Sequence, residues 1–273
     1  MPRVRVGDIN MYYEVHGEGF PLVLIMGTAA NSAWWTPTGI EQFSKRFKTV
    51  IFDNRGMGRT DVPEGGYTMP MMAEDTVGLM DALGIDQAHL FGISLGGGIA
   101  LETVLSYPDR VSKLVLVSTY CGGPNSKGNP PPSEPRVLED LVELMEMIQK
   151  GEHKGVARMM ASWMFSEDYL KNNPDVLEGF VARYLVAPVT LKGLINQQGY
   201  VATYDTYDRL PQISKPTLIL HGRDDIVVPV RNAEILAEGI RGAELVIYDN
   251  TGHGMSIQAE KDFLKRVIEF LKK

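Results

Sequence analysis

Residues 89–98 read His-Leu-Phe-Gly-Ile-Ser-Leu-Gly-Gly-Gly, and this stretch decides the fold. Its first half is a short apolar run typical of a buried strand, and residues 99–107 continue with a helical pattern. Gly92 to Gly96, between the two, matches the pattern G-x-S-x-G. A strand-to-helix turn this tight strains the serine backbone, and side chains at Gly92 and Gly96 would collide. The stretch therefore predicts that Ser94 stands above the end of a strand.

The context of this turn favours a nucleophilic serine. The turn points the backbone N–H of Leu95 and the positive end of the following helix at the place where an oxyanion would form. The alternative is a glycine-rich phosphate-binding turn. No lysine follows as a P-loop requires, and the glycines lack the spacing of a dinucleotide-binding motif. We therefore interpret Ser94 as the nucleophile and the N–H of Leu95 as an oxyanion donor.

Outward from this turn, short apolar runs alternate with helical patterns. The predicted strands after a leading hairpin (4–6 and 11–15) are 21–27, 49–52, 89–93, 113–118, 217–220 and 244–248. Helical spacing recurs at 69–84 and in an amphipathic closing segment at 259–272. The alternation predicts the α/β class, with a mostly parallel sheet and helices on both faces.

The alternation stops between Cys121 and about Leu210. This stretch opens with a loop that contains Pro130-Pro131-Pro132 and then becomes helical, at 137–149, 155–165, 174–185 and less clearly 191–204. An all-helical insertion between two strands predicts a cap over one edge of the sheet, where ligands bind in such folds. The predicted division is a core of residues 1–120 and 211–273 with a cap of residues 121–210.

A serine hydroxyl needs a base, and the chain has five histidines. Only His253 lies in a glycine-flanked loop after the last predicted strand, at the carboxyl edge of the sheet. His221 ends a strand nearer the site, and we interpret it as structural. The base in turn needs an acid that fixes its tautomer. The loop after residue 220 offers two adjacent candidates, Asp224 and Asp225, and their order after serine and before histidine fits a triad.

Bulk composition excludes several other classes. Lysine and arginine number 27 against 34 acids, giving a net charge of −7, which argues against nucleic-acid binding. The single cysteine, Cys121, excludes an intrachain disulfide and a multi-cysteine metal site, and is interpreted as a small buried hydrophobe. No apolar stretch approaches the length of a membrane span, and residues 1–5 lack the apolar core of a signal peptide. We expect a cytoplasmic protein that acts on a small molecule.

Together these motifs resemble the α/β-hydrolase superfamily, specifically its capped, cofactor-free branch of serine esterases, lactonases, C–C hydrolases and haloperoxidase-like enzymes. The resemblance spans nearly the whole chain and includes Asp53-Asn54-Arg55-Gly56-Met57-Gly58-Arg59-Thr60, similar to the family pattern D-x-R-G-x-G-x-S, and the run 107–111 before the next strand. The family's acid loop matches Gly222-x-x-Asp225-x-x-x-Pro229, which favours Asp225 over Asp224. Its histidine loop matches Gly252-His253.

The resemblance also implies a second oxyanion donor, the backbone N–H of Thr28, after Met26-Gly27. Here the chain departs from the family, which usually has histidine at the position of Met26. A backbone donor does not depend on that side chain. No metal and no organic cofactor are implied. Because Ser94 replaces the aspartate of dehalogenases and epoxide hydrolases, the chain does not fit those relatives.

The expected activity is hydrolysis of a small, fairly hydrophobic carboxylic ester or lactone through an acyl-enzyme. An adaptable apolar pocket is suggested by Trp34, Trp35, Met160, Trp163 and Met164, although such residues more often pack a cap onto its sheet. Arg136, Arg158 and Arg183 are the cap cations that could bind a carboxylate. The alternatives are a meta-cleavage-product C–C hydrolase, which would need such a cation, a perhydrolase, and a non-catalytic ligand receptor. The sequence leaves the oligomeric state open.

Overall fold

The computed structural model describes residues 2–123, 126–128, 133–201 and 203–273. Its strands form one sheet in the order β1-β2-β4-β3-β5-β6-β7-β8. They are β1 (Arg3–Val6), β2 (Ile9–His16), β3 (Pro21–Ile25), β4 (Lys48–Phe52), β5 (Ala88–Ile93), β6 (Val111–Val117), β7 (Thr217–Gly222) and β8 (Glu244–Tyr248). Strand β2 runs antiparallel to β1 and β4, and the other neighbouring pairs are parallel. The predicted mostly parallel sheet is confirmed.

Helices pack on both faces of this sheet, as predicted. In chain order they are α1 (Pro37–Ser44), α2 (Met69–Ala82), α3 (Leu95–Ser106), α4 (Pro135–Lys150), α5 (His153–Met164), α6 (Glu167–Asn172), α7 (Pro174–Val186), α8 (Leu191–Gln197), α9 (Arg231–Gly239), α10 (Met255–Gln258) and α11 (Glu260–Lys272). One apolar cluster joins α2, α3 and α9 to the sheet, and a second joins α1 and α11. Because the sheet is buried from both sides, its central strands are apolar at nearly every position.

Helices α4 to α8 follow one another between β6 and β7, and we call residues 133–201 the helical insertion. Residues of α4, α5, α7 and α8 form a third apolar cluster, which also includes Ala29 and Met57 from loops at the edge of the sheet. Helix α4 ends where Gly151 adopts a left-handed φ of 75°, and α8 begins where Thr190 Oγ1 accepts the N–H of Gly193. Pro130-Pro131-Pro132 lies outside the described residues.

The helix predicted over 191–204 is wrong beyond Gln197. A single 3-10 turn, Gln198–Tyr200, follows α8. The chain turns there because Gly199 lies against Gly66, where a Cβ on Gly199 would be 2.7 Å from the Gly66 Cα. Further on, Asp205 forms an isolated bridge with Gly122, although the sequence shows no strand pattern in this region. The short helix α6, capped by Ser166, was not predicted. Within the described ranges, no helix combines the length and apolarity that crossing a membrane requires.

Candidate active site

Ser94 lies at the turn between β5 and α3, in the strained conformation that its sequence context predicts. Its φ is 54° and its ψ is −123°, outside the regions that residues with side chains prefer. Both flanking glycines are sterically required: a Cβ on Gly92 would be 2.2 Å from the Gly96 carbonyl oxygen, and one on Gly96 would be 2.1 Å from the Ile25 oxygen. The Ser94 N–H donates to the Val117 carbonyl at 2.9 Å, which fixes the turn to β6. The hydroxyl borders a cavity.

His253 lies in the loop after β8 and borders the same cavity. Its Nδ1 is 2.7 Å from Asp225 Oδ2, and both residues are buried. The other Asp225 oxygen, Oδ1, accepts the N–H groups of Val227 at 2.9 Å and Val228 at 2.8 Å. Asp224, the alternative acid, is exposed. The structure therefore brings Asp225, and not Asp224, to the imidazole of His253.

His221, interpreted from sequence as structural, contacts the acid as well. Its Nε2 is 2.7 Å from the Val228 carbonyl oxygen and 3.4 Å from Asp225 Oδ2. Burial alone would raise the pKa of Asp225, but the imidazoles of His253 and His221 hold that pKa well below its usual range. The low pKa favours the ionised carboxylate at neutral pH. The available sequence signal was the position of His221, four residues before Asp225 at the end of β7.

The loop after β3 lies directly against the serine. A Cβ on Gly27 would be 3.0 Å from Ser94 Cβ and 3.6 Å from its Oγ, so any larger residue here would press on the serine. Thr28 follows at the cavity wall. Ala29 then has a φ of 61°, an uncommon left-handed value for a residue with a Cβ. On the core side, Asn54 Nδ2 donates to the Met26 carbonyl at 2.9 Å and fixes the start of the loop.

A cavity of about 370 Å³ lies between the carboxyl ends of the strands and the helical insertion. Trp34, Trp35, Met160, Trp163 and Met164, the predicted pocket residues, all border it. They also pack: the ring centroid of Trp34 is 4.7 Å from that of Phe180, and the centroid of Trp35 is 5.3 Å from that of Phe91. The cavity wall and the interface between insertion and sheet are therefore made largely of the same side chains.

Charge in the cavity comes from a residue that sequence reasoning missed. Glu260, at the start of α11, borders the cavity, and its Oε1 accepts the Thr36 hydroxyl at 2.7 Å. The three cap arginines do not border it in the described structure: Arg136 and Arg158 are exposed, and Arg183 is half-buried and interacts electrostatically with Glu260. Among the described lining residues there is no lysine or arginine. The cavity is thus apolar, with a single carboxylate.

Backbone hydrogen bonds join the helical insertion to the site loops. The Gly254 N–H, next to His253, donates to the Met164 carbonyl at 2.8 Å. The Glu134 N–H donates to the Ile226 carbonyl, also at 2.8 Å, beside the acid. These contacts link the insertion to the two loops that carry the histidine and the aspartate.

The described residues include no group of three histidine, cysteine, aspartate or glutamate side chains placed to hold a metal ion. Cys121 is buried, and burial raises the pKa of its thiol to about 12. It therefore stays a neutral thiol, which is neither a good metal ligand nor a good nucleophile.

Three features together define the class of the α/β hydrolases. They are a mostly parallel sheet with helices on both faces, a strained serine turn after β5 and a histidine loop after the last strand. The family model described as "alpha/beta hydrolase fold" matches residues 21–260, and the chain belongs to this family.

Particular relatives differ in the bond they cleave. The chain is 31% identical to the "Putative carbamate hydrolase RutD" of Rhizobium rhizogenes, over 96% of this chain and 98% of the relative. It is 26% identical to the 2-hydroxy-6-oxo-6-phenylhexa-2,4-dienoate hydrolase of Comamonas testosteroni, over 98% and 93% of the two chains. The solved structure of the enol-lactonase from Burkholderia xenovorans LB400 superposes with a TM-score of 0.85 at 25% identity, covering 100% of both chains.

Proposed function

We propose that the protein is a serine hydrolase that cleaves a neutral, fairly hydrophobic carboxylic ester or lactone, with Ser94, His253 and Asp225 as its catalytic triad. The observation that carries the proposal is the 2.7 Å contact between His253 Nδ1 and Asp225 Oδ2, in a loop that shares one cavity with the strained serine. This contact orients the imidazole so that its Nε2 is the free base.

In the proposed reaction, Ser94 Oγ attacks the carbonyl carbon while His253 Nε2 takes the hydroxyl proton. The tetrahedral oxyanion accepts hydrogen bonds from the backbone N–H groups of Thr28 and Leu95, and such a donor typically contributes about 3 kcal/mol. His253 then protonates the leaving alcohol as the carbon–oxygen bond breaks. A water that loses its proton to the same imidazole attacks the acyl-enzyme, which releases the acid and restores Ser94.

The chemistry of the cavity supports a neutral substrate. Its lining is mostly apolar and aromatic, with Glu260 as the one carboxylate among the described lining residues, so an acyl chain or ring gains by leaving water. A carboxylate-bearing substrate such as a dienoate would meet Glu260 and would find no lysine or arginine among the described lining residues, because Arg183, which interacts with Glu260, lies behind the cavity wall. This disfavours the C–C hydrolase alternative for this chain. The similarity to the enol-lactonase structure supports a lactone as the alternative to an ester.

We also propose that residues 121–210 act as a cap on a core of residues 1–120 and 211–273. The division is supported by the third apolar cluster, which consists mostly of insertion residues and joins the sheet side only at loop residues such as Ala29 and Met57. A second candidate substrate is a carbamate, favoured by the RutD relatives, because the same triad can attack a carbamate carbonyl.

The test is turnover of p-nitrophenyl esters of increasing acyl length, with an aryl carbamate, a dienoate and hydrogen peroxide as an acyl acceptor assayed in parallel. The proposal requires ester hydrolysis that Ser94→Ala abolishes and that Ser106→Ala, a matched change at the far end of α3, preserves. The acyl length that is hydrolysed fastest then indicates the size of the cavity. A wild-type protein that turns over no ester and is not labelled at Ser94 by a fluorophosphonate would overturn it and favour a ligand receptor. Faster turnover of the carbamate or the dienoate would replace the substrate class.

A further inference from the structure

The oxyanion loop, Gly27 to Ala30, depends on a residue of the helical insertion. The Ala29 N–H donates to Gln197 Oε1 at 2.8 Å, and this hydrogen bond is buried. Gln197 is the last residue of α8 and is fully buried. The bond therefore joins the loop beside Ser94 to a helix 168 residues further along the chain.

Gln197 does little else for the fold. Its Nε2 is buried without a hydrogen-bond partner among the described residues. A buried amide group without a partner costs about 1–3 kcal/mol, so a core selected for stability alone would favour an apolar side chain here. Among the described residues, the one side-chain hydrogen bond of Gln197 is the bond to the loop, and this points to a role in positioning the loop.

The bond holds Ala29 in a conformation that it would otherwise leave. A left-handed alanine costs about 1 kcal/mol relative to ordinary backbone, and rotation of the Thr28–Ala29 peptide would relieve this strain. Because the peptide is planar, directing the Ala29 N–H at Gln197 also directs the Thr28 carbonyl the opposite way. On the other side of Thr28, the Ala30 N–H donates to the Gly27 carbonyl at 3.4 Å. The two peptide planes that flank Thr28 are thus both fixed.

The same segment contacts Thr28 through its side chain. Tyr200, three residues after Gln197, lies close enough to Thr28 for the two side chains to interact, and its hydroxyl oxygen is 2.6 Å from that of Tyr120. Burial raises the pKa of Tyr200, so its hydroxyl keeps its proton at any pH at which the protein is assayed. The Tyr204 hydroxyl donates to the Tyr120 carbonyl at 3.2 Å, which gives the Tyr120–Tyr200 pair a further contact.

From these contacts we propose that Gln197 is a positioning residue, which holds the Thr28 N–H in the orientation that binds the oxyanion by accepting the Ala29 N–H. The inference rests on the proposed function, since it assigns Gln197 to the oxyanion hole of that reaction. Gln197 acts on the transition state through the loop and has no part in binding the ground-state ester.

The experiment compares full-length wild type with Gln197→Met, which keeps the length and removes the acceptor. Gln197→Asn, the second variant, keeps the amide but is one methylene too short to reach Ala29. The matched control is Asn196→Ala, which removes a hydrogen bond from the same helix to the Pro63 carbonyl and leaves the loop untouched. The measurements are kcat and KM with p-nitrophenyl butyrate, the Ki of phenylboronic acid, which forms a tetrahedral adduct on a serine, and the melting temperature.

For whichever Gln197 variant folds, we expect kcat to fall at least tenfold with KM within about threefold, and the Ki of the boronic acid to rise by a similar factor. Asn196→Ala keeps wild-type values. A folded Gln197 variant with wild-type kcat and Ki overturns the inference, as does one in which KM and Ki rise equally. A wild-type protein without esterase activity overturns the proposed function instead, so the two failures are distinct.

Discussion

Met164 and Gly254 are joined by a backbone hydrogen bond of 2.8 Å, which ties the end of α5 to the loop that carries His253. The ring of Phe165, the next residue of the insertion, also packs directly against Gly254. The position of the proposed base therefore depends on the packing of the helical insertion.

Gly254→Ala should impair catalysis by moving His253. The new Cβ would lie 2.2 Å from Phe165 Cε1, and a packed ring cannot withdraw as a flexible chain can. We expect kcat for p-nitrophenyl butyrate to fall by about tenfold or more, since small misplacements of a catalytic group are costly. The matched control is Gly155→Ala, whose Cβ would meet only the Met147 sulfur. Equal activity of both variants would contradict this coupling.

Asp225→Asn and Asp224→Asn separate the two adjacent acids. The first keeps the shape of the side chain but stabilises the wrong imidazole tautomer, and we expect kcat to fall by about 10⁴. The second changes an exposed residue and should change kcat by less than about twofold. The measurement is kcat at saturating ester for both variants. The reverse ranking would assign the acid to Asp224.

Glu260 should set the charge preference of the cavity. We expect wild type to prefer p-nitrophenyl butyrate over the p-nitrophenyl half-ester of succinate, because the succinyl carboxylate would lie in an apolar cavity with Glu260. For Glu260→Gln, the ratio of kcat/KM for the anionic ester to that for the neutral ester should rise by about fivefold at low salt. A ratio that does not change would place the Glu260 charge out of reach of the bound acyl group.

His89 should make stability depend on pH. Its ring packs against Phe20 and Phe47, with centroid distances of 4.5 and 5.9 Å. Burial, aided by the charge of Lys113, lowers the pKa of His89 to about 4 from 6.5. Between these two pKa values the unfolded chain binds a proton that the folded chain does not. The free energy of unfolding therefore falls as the pH drops from about 6.5 to about 4, by up to about 3 kcal/mol.

His89→Phe tests this origin of the pH dependence. The substitution keeps an aromatic ring and removes the titrating group, so its unfolding free energy, measured by urea denaturation, should vary less between pH 7 and pH 4. If the unfolding free energies of variant and wild type changed equally with pH, the pH dependence would come from other titrating groups.

Arg55 and Asp75 should form a stability-determining pair. Arg55 Nε and a terminal nitrogen, Nη2, contact the two Asp75 oxygens at 2.5 and 2.6 Å, and both side chains are buried. Asp75→Asn removes the buried counter-charge of the guanidinium and leaves only the exposed Asp8, 3.2 Å from Nη2, and we expect a loss of about 3 kcal/mol in the free energy of unfolding. Glu41→Gln, which breaks the exposed pair with Lys45, should cost less than about 1 kcal/mol. Similar losses for the two variants would contradict the difference in burial.

Features encoded within a few residues of the chain could be predicted from sequence. Such local patterns include the glycines around Ser94, the loop of His253 and the alternation of strands. They were enough to predict the fold class and to place the candidate triad residues at one edge of the sheet. Pairing of Asp225 with His253 could be inferred only through the family pattern, since two adjacent aspartates look alike in a single sequence.

Features that depend on distant packing could not be predicted. Gln197 reads as an ordinary helical residue until α8 is seen against Ala29, and Glu260 reads as the acidic start of an amphipathic helix until the cavity is seen. The end of α8 was missed for the same reason, because the approach of Gly199 to Gly66 joins segments more than 100 residues apart. Tyr120 and Tyr200 likewise meet only in the folded chain.

The ties between the helical insertion and the site loops have a consequence for exchanging parts between relatives. A chimera that receives residues 133–201 from another α/β hydrolase would gain new cavity walls, but it would lose Gln197, the side-chain partner of Ala29. The backbone contacts to Ile226 and Gly254 would form only if the new segment followed the same path. Substrate range and turnover are therefore inherited together in this chain. A productive graft would transfer the loops at 27–30, 225–228 and 252–254 along with the helices.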